Sequence, residues 1–534
     1  MTQYIIADEE KKDKLRQGMV DFFNYLLYDG FVSSAVEDGK IAALFAERYI
    51  NLASAARFMH EKLGGVIRDY SELESLPGVT DEILGRLESL LGQMNLDNLS
   101  LLAPHTTRNN RVEAFVNGPD NLNVLLEEIS RAERYIHCSF MLFFNDKSGE
   151  LVTQALLNAL SRGVVVRLMV DYTVTSLGYE LNLEFGKFKL LGDKLEAAGA
   201  RLQNTFDSSY PAEEWPDKRA ELKKSGVPES YLYLQDFAQK QMVTGLNMIN
   251  HRKFLVADGH TLILGSINVG DQYLASTPIL TPGNVESEGR ALGIPGKSKE
   301  WHDGCFRIRG SAAFSANRIF AAQWSLLGDD LFDPENEFYK PSAMEPFGEE
   351  DCTLFASFPG NPINLNQKYH LALLEHAGDE VFIVNPYLID ESFWEMLQSL
   401  DEERAGHIVI CNCLKHNDHP TNLAAVRSHM YGPFEKGVSF YDYSATERFS
   451  HWKITYDRRG DAVFHGSYNL NERSSCHDYE LGLLVKSPAF AEKVKAMIEY
   501  DLSVSKKITD AGDFFKHPAL HPSTYWNKWT KNLT

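Results

Sequence analysis

Cysteine is scarce in this chain: six in 534 residues, at Cys138, Cys305, Cys352, Cys411, Cys413 and Cys476, with no CxxC pair. That spacing provides neither a zinc cluster nor a disulfide framework and reads as reduced thiols in a reducing compartment such as the cytosol. Long apolar runs are missing too. The longest, such as Val381–Val384 and Val164–Val166, have the length of strands and fall well short of a bilayer span. The opening residues, Met1 to Lys14, have no basic stretch leading into an apolar one, so no signal peptide is expected. Positive charge is in deficit, with 53 Lys and Arg against 74 Asp and Glu, a net of −21. An acidic surface repels nucleic-acid phosphates and anionic lipid alike, but leaves room for a locally basic pocket. The sequence also lacks the carboxylate clusters that hold catalytic magnesium, so neither a metal nor an organic cofactor is expected.

What is present is an ordinary globular composition, 44% hydrophobic and 24% charged, with length enough for several domains. Apolar spacing in Met19–Tyr28 and Ile41–Phe58 predicts a helical region over residues 1–105. From about residue 110 strands and helices alternate. Val112–Phe115 reads as a strand, Asn121–Arg134 as a helix, Tyr135–Phe144 as a strand, Gly149–Arg162 as a helix and Val164–Asp171 as a strand. This order predicts α/β layers around a partly parallel sheet. A Pro-rich break at Asp333–Glu350 separates a first half, 106–332, from a second, 333–503, followed by a tail over 504–534. The second half repeats the pattern in Asn366–His376, Glu380–Pro386, Ser392–Leu400 and His407–Cys413. Phe206–Val243 and Ala275–Lys299 are polar or Pro/Gly-rich insertions of the kind that form functional loops. The aromatic and Lys-bearing segments Phe514–Lys516 and Tyr525–Lys531 suit either a bilayer interface or a tail docked on the protein. His416 and His419 read as members of a polar loop.

One repeat carries chemistry. The first half holds His251-Arg-Lys253, an apolar run, Asp258, then Gly265-Ser266-Ile-Asn268; the second holds His451-Trp-Lys453, Asp457, then Gly466-Ser467-Tyr-Asn469. Side chains two apart on an extended segment point the same way. Each His therefore shares a face with its Lys, and each Ser with its Asn. Face to face, the halves would gather two imidazoles, two ammoniums and two amides around one centre. That set suits a phosphodiester: Lys253, Lys453, Ser266, Asn268, Ser467 and Asn469 to hold the phosphate, one imidazole to attack phosphorus, and the other to move protons.

At these residues the sequence resembles the phospholipase D superfamily, whose signature is HxKxxxxD followed by GSxN. His251–Asp258 matches it fully. Phe144–Gly149, Asn268–Tyr273, Trp301–Gly310, Asn385–Tyr387, Asn471–Ser474 and Asp478–Glu480 are similar to blocks of bacterial cardiolipin synthases. The resemblance implies two pseudo-symmetric α/β/α halves with the active site at their interface. It implies a covalent phosphohistidine, with His251 as nucleophile and His451 as acid/base or the reverse. Asp303 and Glu480 stand where the family has carboxylates behind the imidazoles, and Asp258 completes the first motif. In the second motif the acidic position is Arg458, Asp457 falls one residue early and Gly466 one late; a bulge would let Asp457 substitute. Asp478 stands where the subgroup has Asn. The missing signal peptide and spanning run predict a cytoplasmic enzyme acting at a membrane surface, the resemblance implies phosphatidylglycerol or phosphatidylethanolamine as its lipid, and the net charge of −21 argues against nucleic acid. Its reaction would be phosphatidyl transfer, with hydrolysis to phosphatidic acid as the alternative and a nuclease or an inert scaffold further off.

Overall fold

Tyr135–Phe140 is buried at every position, as a strand must be when helices cover both faces of its sheet. A computed structural model describes residues 105–171, 188–204, 215–224, 249–277, 300–326, 346–357, 364–414, 417–418 and 420–510, besides three isolated positions before 105. The expected N-terminal helices, the tail beyond 510, most of both insertions, the break between the halves, and His416 and His419 lie outside the described residues.

Seventeen strands are described: β1 His105–Val116, β2 Tyr135–Phe140, β3 Val165–Val170, β4 Arg201–Asn204, β5 Phe254–Ala257, β6 Thr261–Gly265, β7 Trp301–His302, β8 Gly304–Arg309, β9 Glu350–Ser357, β10 Val381–Val384, β11 Ile408–Asn412, β12 Ser439–Asp442, β13 Phe449–Ser450, β14 Ile454–Asp457, β15 Ala462–Gly466, β16 Glu480–Lys486 and β17 Lys506–Lys507. Fifteen form one sheet, in which β1-β8-β6-β5-β2-β3-β4 is matched strand for strand by β9-β16-β15-β14-β10-β11-β12, with β17 on the far edge. In each half the outer three of these are parallel and the rest antiparallel. The halves join where β1 and β9 pair antiparallel, His105 opposite Leu354.

Alternation along the strands sorts the core into three layers. Phe254 and Val256 face a central cluster, shared by both halves, that holds Phe306, Trp324, Trp452, Leu483 and Phe490. Leu255 and Ala257 face the opposite way, onto the helices Asp120–Arg131 and Lys147–Ser161. The second half covers its outer face likewise with Leu365–Glu375 and Glu391–Ser399. The helices Ser311–Leu326 and Pro488–Val504, each following the equivalent strand of its half, line the central layer.

The two hairpins that follow the His-x-Lys segments differ. Asp258 turns the β5–β6 hairpin at φ 55°, a conformation Asp tolerates. Its carboxylate accepts the backbone N–H groups of Glu133, Arg134 and Tyr135 at 2.8–2.9 Å, stapling the hairpin to the start of β2. Asp258 therefore braces the fold away from the catalytic centre. In the second half β14 and β15 pair in unbroken register, Asp457 opposite Ala462. The expected bulge is absent, because the extra residue is absorbed in the longer turn Arg458–Asp461. Asp457 accepts N–H groups of Gly460 and Arg459 within that turn and does not replace Asp258. Arg458 instead pairs with Glu492 on the helix Pro488–Val504.

Three imidazoles are packed into this core: His137 stacked on Phe320, His370 on Tyr468 and His465 against Phe306. Burial holds His137 down to about 3, and His370 and His465 to about 4, against an ordinary 6.5. Between pH 6.5 and 4 the unfolded chain therefore binds more protons than the folded one, so stability drops as pH falls through that window. Well below 6.5 each costs about 1.4 kcal/mol per pH unit, together about 4. Urea midpoints measured from pH 7 to 4.5 should fall steeply below pH 6; a flat profile would contradict the neutral packing of these rings.

Candidate active site

The two His-x-Lys segments sit just before β5 and β14, in extended chain that is not itself part of either strand. Each runs alongside a segment from the other half. Tyr479 N–H donates to Ile249 C=O at 2.9 Å and His251 N–H to Tyr479 C=O at 3.0 Å. In the matching place β13 pairs parallel with β7, and His451 N–H donates to His302 C=O at 2.8 Å. The pocket is thus assembled from both halves by backbone pairing.

That pairing crosses the carboxylates over. His251 Nδ1 lies 2.8 Å from Glu480 Oε1 and His451 Nδ1 lies 2.8 Å from Asp303 Oδ2. Each imidazole is held by a fully buried carboxylate of the opposite half. A carboxylate on Nδ1 fixes the proton there and leaves the Nε2 lone pair for chemistry. Ser467 and Ser474 hydroxyls donate to Glu480, and the Ser266 hydroxyl donates to Asp303, which also accepts Gly304 N–H at 2.8 Å. Ser266 and Ser467, expected to hold phosphate, are therefore spent on the carboxylates: they aim the groups that aim the imidazoles. Ser474 does the same and was visible in the sequence only as part of a similar block.

The Lys and Asn side chains remain as groups for an anion. Lys253 Nζ donates to His251 C=O at 2.6 Å. Lys453 Nζ lies 2.8 Å from both His451 C=O and His451 Nε2. Asn268 accepts Leu142 N–H through Oδ1 at 3.1 Å, and buried Asn469 Oδ1 has no partner among the described residues. Asp478, the departure from Asn, accepts Ile249 N–H at 3.0 Å and pairs with Arg473 at 3.1 Å, so its charge is met locally. Arg252 and Trp452, between His and Lys in each motif, turn away into the interior.

Burial governs the charges. It pulls His251 down and His451 down to about 3, outweighing Glu480 and Asp303, so both imidazoles rest neutral. It pulls Lys253 down to about 8 and Lys453 well below its ordinary value, with Glu480 and Asp303 opposing. Burial also acts to raise Glu480 and Asp303, but the imidazoles, the ammoniums and the Ser hydroxyls hold both below the ordinary range. The halves differ in one respect. His451 is walled by Tyr273, Trp301, Tyr387 and Phe449, with ring centroids 5.2–6.3 Å away, and its Nε2 is engaged by Lys453. Among the described residues nothing engages Nε2 of His251. The site can therefore present one nucleophilic nitrogen and, across from it, one nitrogen placed to trade a proton.

A family model described as "Cardiolipin synthase, PLD-like domain" matches residues 125–277 and 371–502, windows that contain both His-x-Lys segments. Cardiolipin synthase 1 of Staphylococcus aureus is 24% identical over 485 residues, spanning 88% of this chain and 84% of that protein. Cardiolipin synthase 2 of Bacillus cereus is 24% identical over 458 residues, spanning 85% and 74%. Among solved structures, phosphatidylserine synthase of Haemophilus influenzae superposes with a TM-score of 0.51 at 13% identity, over 79% of this chain and 95% of that one, a likeness of fold.

Proposed function

The chain belongs to the PLD-like family described as cardiolipin synthase, and from that premise we propose that it forms cardiolipin by moving a phosphatidyl group from one phosphatidylglycerol to another through phosphorylated His251. Membership makes it an enzyme of the phosphatidyltransferase and phosphodiesterase type, with phospholipid as the substrate class. The observation that carries the assignment of roles is the unequal engagement of the two Nε2 atoms: on His251 it meets no partner among the described residues, on His451 it is held by Lys453.

In the first step His251 Nε2 attacks phosphorus and the bond to the departing glycerol oxygen breaks, with His451 Nε2–H supplying the proton. An entering phosphodiester anion supports this protonation state. It adds negative charge beside His451 and draws Lys453 to the phosphate oxygens, and both effects raise the imidazole's hold on a proton. In the second step the acceptor hydroxyl gives its proton to His451 Nε2, its oxygen attacks phosphorus, and the phosphorus–nitrogen bond breaks to regenerate His251. Lys253, Lys453, Asn268 and Asn469 neutralise and orient the non-bridging oxygens in both steps.

The net charge of −21 opposes nucleic-acid polyanions and anionic lipid alike, so the choice of phospholipid as substrate rests on family membership.

Purified protein with vesicles of phosphatidylglycerol and phosphatidylethanolamine, read by lipid mass spectrometry, tests this. Cardiolipin and free glycerol should appear, and His251→Ala should lower the rate by about four orders of magnitude. A quenched reaction should carry phosphatidyl label on the His251 peptide. Phosphatidic acid as the sole product would replace transfer by hydrolysis, and unchanged lipids with no labelled histidine would remove the reading altogether.

A further inference from the structure

The two imidazoles are mounted differently, and the difference lies in the residue before each carboxylate. Tyr479 precedes Glu480 and carries the Arg252 guanidinium over its ring, 5.2 Å from the centre. His302 precedes Asp303, and Trp452, the counterpart of Arg252, meets its ring edge-on with centroids 5.4 Å apart. The polar and aromatic members have changed places: the nitrogen-bearing group comes from the His-x-Lys motif in the first site and from the facing strand in the second. His302 is buried, and so is Asp501 on the helix Pro488–Val504. His302 Nε2 lies 2.8 Å from Asp501 Oδ2 and Nδ1 lies 3.0 Å from Asn117 Oδ1, while the Tyr443 ring stacks on the imidazole at 5.0 Å. The phosphoryl chemistry uses neither His302 nor Asp501.

What this pair holds is the mounting of His451. His302 C=O accepts His451 N–H at 2.8 Å, and Asp303, the next residue, places Oδ2 2.8 Å from His451 Nδ1. Backbone and ring of the second imidazole therefore both hang on residues 302–303. From the first half, Asn117 N–H at 2.7 Å and Asn121 Nδ2 at 3.1 Å donate to Asp303 C=O. From the second half, Asp501 holds the His302 ring, so the mounting is fixed from both sides of the interface. In the proposed reaction His451 Nε2 must stay within hydrogen-bond reach of the departing and then of the entering alcohol oxygen. A displacement of about 1 Å caused by a remote change can cost roughly 10²-fold in rate.

We propose that His302, fixed by Asp501, is a positioning residue for proton transfer: the pair sets where Asp303 and the His302 carbonyl present His451, and so governs protonation of the leaving alcohol without touching substrate. The inference rests on the reading of His451 as the acid/base. Attack of His251 on phosphorus does not pass through this mounting, because His251 is held by Glu480 and Tyr479. Loss of the His302–Asp501 bond should therefore slow the first step in proportion to how much the leaving oxygen needs a proton.

The test compares two leaving groups that yield one intermediate. Phosphatidylglycerol and phosphatidyl-p-nitrophenol both leave a phosphatidyl group on His251; glycerol must take a proton as it departs, whereas nitrophenolate leaves as a stable anion. The first-turnover rate of label on the His251 peptide is measured with each in vesicles, and the ratio of nitrophenyl to glycerol rates is formed for each protein. Because both rates come from one preparation, unfolded protein cancels. His302→Phe keeps a ring and removes the bond, and Asp501→Leu removes it from the other side. The double variant leaves no buried carboxylate stranded, so the ratio stays readable if a single variant fails to fold. Each of the three should raise the ratio by about 10–100-fold, and the double variant by no more than the larger single effect, as expected of two groups acting as one unit. A merely structural role would lower both rates alike and leave the ratio unchanged. His451→Ala is the benchmark and should raise the ratio by about 10²-fold or more. If it does so while the His302 and Asp501 variants keep the parental ratio, or if their effects multiply in the double variant, the positioning pair is overturned and the role of His451 stands. If His451→Ala itself keeps the parental ratio, the acid/base reading falls and this inference with it.

Discussion

Glu480→Gln should leave the protein folded and reduce kcat by about 10³–10⁴-fold, the scale set when a carboxylate that fixes a catalytic imidazole's tautomer is neutralised. Three donors converge on the two Glu480 oxygens: His251 Nδ1–H, Ser467 and Ser474. A glutamine retains one oxygen and replaces the other by an NH2 that donates. It cannot satisfy all three donors, and the least costly rearrangement turns its NH2 toward Nδ1 and moves the imidazole proton to Nε2. That nitrogen then has no lone pair for phosphorus. The loss should therefore fall on formation of the phosphorylated His251, measured as label on its peptide in a quenched reaction. Asp303→Asn acts on the other imidazole, so it should slow proton transfer to the leaving alcohol and from the incoming one, while His251 remains the labelled residue. Glu480→Gln with more than a tenth of the parental kcat would contradict the tautomer argument. Label on the His451 peptide would exchange the two roles.

The repeat disclosed the pocket's contents more fully than its wiring. Period-two logic put His251 with Lys253 and His451 with Lys453 because it acts along a single segment, and the order of strands and helices gave two halves because each unit is short. Neither argument reaches across the chain. Glu480 lies 229 residues from the imidazole it holds and Asp303 lies 148 from its own. Only the parallel pairing of 249–251 with 478–480, and of β13 with β7, exchanges them between halves. The same limit explains the serines. Ser266 and Ser467 share a face with Asn268 and Asn469, but a hydroxyl takes the nearest strong acceptor, and the carboxylates that claim them arrive from β7–β8 and β16. In the second hairpin the register was set by strand pairing over Ile454–Asp457, so an extra residue could be accommodated in the turn without shifting either strand.

The second large effect belongs to the residue between His251 and Lys253. Arg252 has no exposed surface and spends its guanidinium on three acceptors: Glu480 C=O through Nε at 3.1 Å, Gln323 Oε1 at 2.9 Å and Ser357 C=O at 3.0 Å. It also lies 5.2 Å from the centre of the Tyr479 ring. Its partners are the start of β16, the end of β9 and the helix Ser311–Leu326, so a first-half side chain clasps two second-half strands directly behind the His251–Glu480 pair. Trp452 fills the equivalent place in the second motif with packing instead, its indole beside Gly304, where an added Cβ would lie 2.8 Å from its Nε1. The two motifs therefore close the interface by unlike means. Arg252→Met keeps most of the stem but strands three buried acceptors, each worth about 1–3 kcal/mol when left unmade. The expected loss is about 3–5 kcal/mol of stability, the range found when one partner of a buried charged cluster is removed. Urea unfolding should show an earlier midpoint. Because the clasp holds the Glu480 backbone, activity per folded molecule should fall as well. Trp452→Phe, which keeps an aromatic ring at the matching place, should cost about 1–2 kcal/mol by the cavity it opens. Equal costs for the two variants, or an Arg252→Met protein as stable as its parent, would show that the halves are held by the β1–β9 seam and the central core alone.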